Sequence, residues 1–215
     1  LGGTAIPLEL PENASSVQDY QNQLQTVASL KPDLIYFAGN DPNGTYALQA
    51  LSNIPQLRSV AFAGASGIMD DSFWQKAAQL HRSAPIYVSS PIEDPAHSKQ
   101  AVGINFEQNY RAHGYTNYRL YAASAYDCTK VLIQAIKTAL QQKGVSPPRG
   151  GQDVAGAKRF RLAILQALAS ISYTGTTGTH SFDTNGDTTN HTISFYRPDL
   201  SKSAPDWQWL KQIKQ

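Results

Sequence analysis

Residues 183–187, Asp-Thr-Asn-Gly-Asp, set oxygen-bearing side chains at alternate positions, an arrangement suited to a hard cation such as calcium. The register is wrong for it. A calcium loop opening at Asp183 needs glycine at its sixth place and glutamate at its twelfth, and Thr188 and Ser194 stand there. A solvated turn accounts for the segment, because Asn185-Gly186 supplies the positive φ that a tight hairpin uses. The histidines (His81, His97, His113, His180, His191) are dispersed, with no pair at the spacing of a zinc-binding helix. Gly64-Ala65-Ser66-Gly67 flanks a serine with small residues, but a nucleophile elbow needs glycine one place further on, where Ile68 stands. Cys128 is alone, so neither a disulfide framework nor a cysteine-based metal site can be built. Its neighbours put it on the apolar face of a helix, where a small buried residue is expected. The sequence thus offers no catalytic set, no metal ligands and no cofactor fingerprint.

Composition narrows the class further. The 215 residues suffice for one large or two small domains. A chain 41% hydrophobic and 16% charged is globular rather than disordered. The net charge of +2 comes from scattered Lys and Arg, so no nucleic-acid footprint is present. No apolar run reaches the length of a membrane span.

The elements that must position any site follow from periodicity. Residues 4–10 look extended, and Pro7 confines them to an edge or terminal strand. Residues 15–30 predict a helix with Val17, Tyr20, Leu24 and Val27 on one face, opened by a Ser15/Gln18 capping box and ended by Pro32. The continuous apolar run 33–39 predicts a strand covered on both faces. A turn at 40–44 leads into a helix to about Ile54, with Ala47, Ala50, Leu51 and Ile54 inward. The alternation repeats as a strand at 59–63, a loop at 64–67, a helix at 71–80 and a strand at 84–88. Such alternation predicts right-handed βαβ units in a parallel sheet flanked by helices. After Pro91 the pattern becomes helical: 97–113, then 121–141 with Ala125, Cys128, Leu132, Ala135 and Ala139 aligned inward. A loop over 142–156 and a helix over 157–170, amphipathic through Phe160, Ile164 and Leu168, follow. Strands at 192–196 and 207–213 close the chain.

Tyr126-Asp127 in a long helix, a second helix, then Tyr-Thr-Gly-Thr-Thr-Gly-Thr-His-Ser-Phe-Asp-Thr-Asn-Gly-Asp at 173–187 resemble the C-terminal half of type I periplasmic binding proteins. The branch most similar is the branched-chain amino acid receptors of ABC transporters. Lys31-Pro32-Asp33-Leu34-Ile35-Tyr36-Phe37 and Phe62-Ala63-Gly64-Ala65-Ser66-Gly67 extend the likeness over nearly the whole chain. The resemblance implies an α/β fold of two lobes with the ligand clamped between them, the first lobe being incomplete here. On that template residues 1–90 form most of lobe 2, 91–189 the C-terminal part of lobe 1, and 190–215 a crossover returning to lobe 2. It further implies a fragment, or a chain completed by another, that binds ligand weakly by itself.

Ligands of open parallel sheets sit beyond the carboxyl ends of the strands. That rule selects the loops 39–45, 64–67 and 89–91, and the resemblance points to the first two. The expected ligand-binding residues are Asn40, Asp41, Gly64, Ala65 and Ser66. By resemblance, amino-acid binders carry an acidic residue in the second loop for the ligand ammonium. Ser66 stands there, and Asp41 is the carboxylate available to replace it. Two alternatives stay open. Asp41 and Asn43 can instead cap the following helix, and the ligand can be a sugar, amide or carboxylate. The implied role is extracytoplasmic, non-enzymatic capture of a small polar, amino-acid-like ligand, with an ABC permease as partner and no cofactor, metal or nucleic acid. A ligand-sensing receptor domain is the alternative, with an α/β enzyme third.

Overall fold

The computed structural model describes residues 3–10, 14–115 and 120–214. The elements run α1 (Val17–Ala28), β1 (Leu34–Phe37), α2 (Asn43–Asn53), β2 (Ala61–Ala65), α3 (Asp71–Leu80) and β3 (Ile86–Ser90). They continue as α4 (Ala101–Ile104), α5 (Phe106–Ala112), α6 (Leu120–Leu140), α7 (Val154–Ala169), β4 (Tyr173–Gly175), β5 (Gly178–His180), β6 (Thr192–Pro198) and β7 (Trp207–Lys214). The chain divides into two compact units, one of Leu1–Ser90 with Ser194–Lys211, the other of Pro91–Ile193 with Gln212–Gln215.

The first unit is an α/β sheet of order β1-β2-β3-β6-β7. β1, β2 and β3 are parallel, and β6 runs antiparallel to β3. α1 begins one residue later than its polar start suggests: Ser16 is the N-cap and Asp19 its partner in the capping box, displacing the expected Ser15/Gln18 pair. Tyr20 and Leu24 are its buried positions. Both β1-α2-β2 and β2-α3-β3 step in the same direction, so right-handed crossovers put α2 and α3 on one face. The core lies there. Phe37, Phe62, Phe73 and Trp207 stack in succession with ring centroids 6.4, 6.0 and 6.3 Å apart, and Tyr20 meets Phe37 edge-on. The opposite face is open. Leu34 is 49%, Tyr36 53% and Tyr87 37% exposed, which corrects the expectation of a strand buried on both sides. Residues 4–10 are extended and largely exposed but form no strand.

The second unit is helical, with the β4–β5 hairpin as its strand pair. The single helix expected over 97–113 is broken into a 3-10 turn (Pro95–His97), α4 and α5. The chain leaves helical geometry at Ser98 (φ −67°, ψ 150°) and Gln100 (φ −92°, ψ 127°). A Cβ on Gly103 would lie 2.7 Å from the Thr176 carbonyl and 3.0 Å from that of Pro95, so α4 is seated against the hairpin by its glycine. α6 and α7 pack together with Ala135, Ala139, Gly156, Ala163 and Ala167 buried. The buried stripe of α6 is Ala123, Asp127, Val131, Ala135 and Ala139. Ala125, Cys128 and Leu132 therefore face outward, against expectation, although Ala135 and Ala139 are inward as anticipated.

Candidate functional site

The loops that follow β1 and β2 meet at the carboxyl edge of the first unit's sheet. Gly64 and Ala65 are the last residues of β2, and Ser66 opens a 3-10 turn over Ser66–Ile68. The backbone N–H of Asp41 donates to the Gly67 carbonyl at 3.0 Å, tying one loop to the other. Glycine is required for that approach. A Cβ on Gly67 would stand 2.0 Å from Asn40 Oδ1 and 2.7 Å from the Gly39 carbonyl. A Cβ on Gly64 would meet Ile68 Cδ1 at 2.6 Å, so Gly64 lets the 3-10 turn fold back onto β2. Asn40, Asp41, Gly64, Ala65 and Ser66 are thus gathered at one end of one sheet, with Asn40 exposed and Asp41 and Ser66 half-buried.

Asp41 is held from both sides. Its Oδ1 accepts from the Thr45 N–H at 3.2 Å and the Thr45 hydroxyl at 2.5 Å, and its Oδ2 accepts from the Ser72 hydroxyl. It therefore closes the first turn of α2, where Pro42 is the N-cap and gives no side-chain bond. Asn43 is already the first helical residue, so the capping role considered for it falls to Asp41. The Ser72 hydroxyl also lies 2.9 Å from Asp70 Oδ1 and carries one proton, so it serves one of the two carboxylates at a time. The outcome is a carboxylate of fixed orientation with lone-pair capacity left on Oδ2, suited to a hydrogen-bond donor or a cation. On the third strand, Ser89 Oγ pairs with Tyr36 Oη at 3.1 Å and lies 3.4 Å from the Gly64 carbonyl, adding two hydroxyls to that edge. Ser72 and Tyr36 were not expected, whereas Ser89 lies in the third loop, 89–91, that the strand-end rule selects. Ser72 has a legible signal, a serine two residues after the N-cap Asp70, whereas the Tyr36–Ser89 pairing depends on strand register alone.

A second polar cluster lies in the other unit and explains the threonine-rich segment. Asp127, 1% exposed, accepts from the N–H of Thr176 at 2.8 Å, the N–H of Thr177 at 2.7 Å and the Thr177 hydroxyl at 2.7 Å. The Thr177 hydroxyl spends its proton on Asp127, so it accepts from His180 Nε2–H at 3.0 Å, and that nitrogen lies 3.4 Å from Asp127 Oδ2. Burial pushes the Asp127 carboxyl up, but hydrogen bonds from His180, Thr177 and Thr176 outweigh it and leave it below the ordinary carboxylate value. A Cβ on Gly175 would sit 2.3 Å from this carboxylate, so glycine makes room for the clasp. An adjoining groove of about 350 Å³ is lined by apolar residues including Val131, Leu132 and Phe182. Among the described residues no group of three His, Cys, Asp or Glu side chains could hold a metal ion.

The α/β fold is shared with solved structures of ABC-transporter substrate-binding proteins, which have the type I periplasmic binding fold. A leucine-binding protein of Thermotoga maritima aligns with a TM-score of 0.65 at 17% identity, over 91% of this chain and 49% of its own. A substrate-binding protein of an Aeropyrum pernix ABC transporter gives 0.66 at 14% identity, over 96% and 50%. A solute-binding protein from R. palustris, solved with benzoate, gives 0.59 at 16% identity, over 91% and 48%. The chain therefore spans about half the length of the structures it matches. No protein-family profile matches the sequence, and no curated protein matches it either.

Proposed function

We propose that this chain is the ligand-contacting portion of an extracytoplasmic solute-binding protein that delivers a small polar solute to an ABC permease. The observation that carries the reading is the junction of the β1 and β2 loops, where the Asp41–Gly67 bond presents a pre-oriented carboxylate at the strands' carboxyl edge. The solved relatives support a binding role rather than a catalytic one, since their descriptions name substrate-binding proteins, some with leucine or benzoate. Among the described residues no helix is long and apolar enough to cross a membrane.

Asn40, Asp41 and Ser66 are the side chains proposed to touch the ligand, with Gly64 and Ala65 keeping the second loop close to it. Asp41 takes a donor group of the solute, which makes an amine or a hydroxyl-rich compound its natural partner. An amino-acid-like solute is the finer form of this proposal. Thermal-shift screening followed by calorimetry, on the product of the whole reading frame, tests it with panels of amino acids, polyols and aromatic carboxylates. A solute with an amine or hydroxyl group is expected to bind at micromolar Kd. Asp41→Asn should weaken that binding about 10-fold or more, the scale of one charge-assisted hydrogen bond. If every panel leaves the protein unshifted, the solute-binding reading is lost. If a solute binds equally well to wild type and Asp41→Asn, only the role given to Asp41 is lost.

A further inference from the structure

The net charge of +2 hides an uneven distribution. Residues 128–170, from the middle of α6 to the end of α7, hold seven of the 18 Lys and Arg but one of the 16 Asp and Glu. That segment carries +6, and the rest of the chain, with 11 basic and 15 acidic residues, carries −4. Its single acid is occupied locally. Asp153 caps α7, its carboxylate accepting from the N–H of Gly156 at 2.8 Å and from that of Arg149 at 3.3 Å. The seven basic side chains are all exposed: two on α6, two in the loop that follows it and three on α7. Among the described residues the ion pairs lie elsewhere, at His97–Asp94, Arg111–Glu107 and His180–Asp127. A surface of one sign repels itself and draws an anionic partner.

The arrangement on the helices indicates which anion. On α6, Lys130, Ile133, Lys137 and Leu140 recur at i, i+3, i+7 and i+10 and so share a face. On α7, Val154, Lys158, Arg161 and Leu165 do the same at i, i+4, i+7 and i+11. The apolar members are open: Ile133 is 43%, Leu140 44%, Val154 72% and Leu165 62% exposed. A different strip of α6, Cys128 and Leu132, lines the apolar groove and carries no charge. Further chain of this fold can cover that strip. It cannot cover the unpaired ammonium and guanidinium groups without bringing carboxylates to them, because an isolated buried charge is strongly disfavoured. We propose that α6, α7 and their connecting loop dock on the anionic headgroup layer of a lipid bilayer. Lys and Arg suit that layer, since their aliphatic stems lie along the neighbouring Ile, Leu and Val while their charged heads reach lipid phosphate. A nucleic-acid backbone would give those apolar side chains no apolar counterpart. The inference rests on the extracytoplasmic reading above only for where such a surface is met, beside a permease; the solute plays no part in it.

Co-sedimentation with vesicles tests the docking, using the solute-free product of the whole reading frame. In about 0.1 M salt, vesicles with about 30% phosphatidylglycerol should bind it at least about 10-fold more tightly than pure phosphatidylcholine, and about 1 M salt should abolish the difference. The combination Lys130→Gln, Lys137→Gln, Lys158→Gln and Arg161→Gln should weaken binding to the anionic vesicles about 100-fold, each basic residue contributing up to about 5-fold. The combination Lys99→Gln, Lys202→Gln, Lys211→Gln and Lys214→Gln removes the same charge elsewhere and should weaken binding less than about 3-fold. Equal weakening by the two combinations reduces the effect to net charge and overturns the proposal. So does equal binding of the wild type to both kinds of vesicle, and so does tighter binding to an oligonucleotide than to the anionic vesicles at the same salt. Glutamine is a good helix former and all the sites are exposed, so the variants should keep the wild-type Tm; if one melts lower, the lipid and salt comparisons on wild type decide. Solute binding without vesicle binding defeats this inference and leaves the solute-binding reading intact, and the converse result does the opposite.

Discussion

Asp127 illustrates how one buried side chain determines the path of a whole segment. It is the acceptor for two consecutive backbone N–H groups and a hydroxyl, so removing it strands donors that cannot reach water. Asp127→Ala should therefore destabilise by about 2–4 kcal/mol in denaturant titration, and a loss under about 1 kcal/mol would show that water replaces the carboxylate. The pH dependence follows from the direction of its shift. The folded carboxyl titrates below the unfolded one, so its stabilisation is present above the unfolded value of about 4 and is lost as pH falls through the folded value. The stability gap between wild type and Asp127→Asn should accordingly narrow below about pH 4. The sequence held a signal for this residue. Asp127 is the one acidic position in the four-spaced series Ala123, Val131, Ala135 and Ala139, but which stripe of α6 turns inward was not legible. Apolar residues cover too much of that helix's circumference, which is why Cys128 and Leu132 were assigned to the buried face.

At the scale of elements, the alternation of strand and helix over 30–90 was legible because each strand is a short apolar run and each helix has a clear inward stripe. Phe73, Trp74 and Ala77 are buried on α3 as the spacing requires. What escaped was set by contacts distant in sequence. The helix expected over 97–113 is interrupted, and α4 meets the hairpin's backbone at Gly103, where nothing local to 97–113 encodes the Thr176 carbonyl. Gly103→Ala discriminates between the two influences. In an exposed helix the change stabilises by about 1 kcal/mol. Here the new Cβ would press on the Thr176 and Pro95 carbonyls at 2.7 and 3.0 Å, so the sign should invert and the variant should melt below wild type. A rise in Tm for Gly103→Ala would mean that α4 is loosely seated. The candidate site was legible to a similar degree. The rule about strand ends located the loops, whereas the Asp41–Thr45–Ser72 grip depends on α2 starting at Asn43 and on α3 bringing Ser72 alongside.

For the molecule as a whole, the chain is about half of the fold it matches, and that proportion bears on affinity. Small-molecule sites commonly bury about 70–90% of the ligand surface. The loops gathered around Asn40, Asp41 and Ser66 are surface loops with Asn40 exposed, and by themselves they offer hydrogen-bond partners without enclosure. Each hydrogen bond exposed to water contributes little net free energy, whereas the same bond in an enclosed site is protected from competition. Residues 1–215 should therefore bind the solute about 100-fold or more weakly than the product of the whole reading frame, a difference of about 2.8 kcal/mol at 1.4 kcal/mol per decade. Calorimetry on the two proteins with the same solute measures it directly. Equal affinities would mean that these 215 residues enclose the ligand by themselves, and the loops at the carboxyl edge would then need a wall that the present reading does not assign.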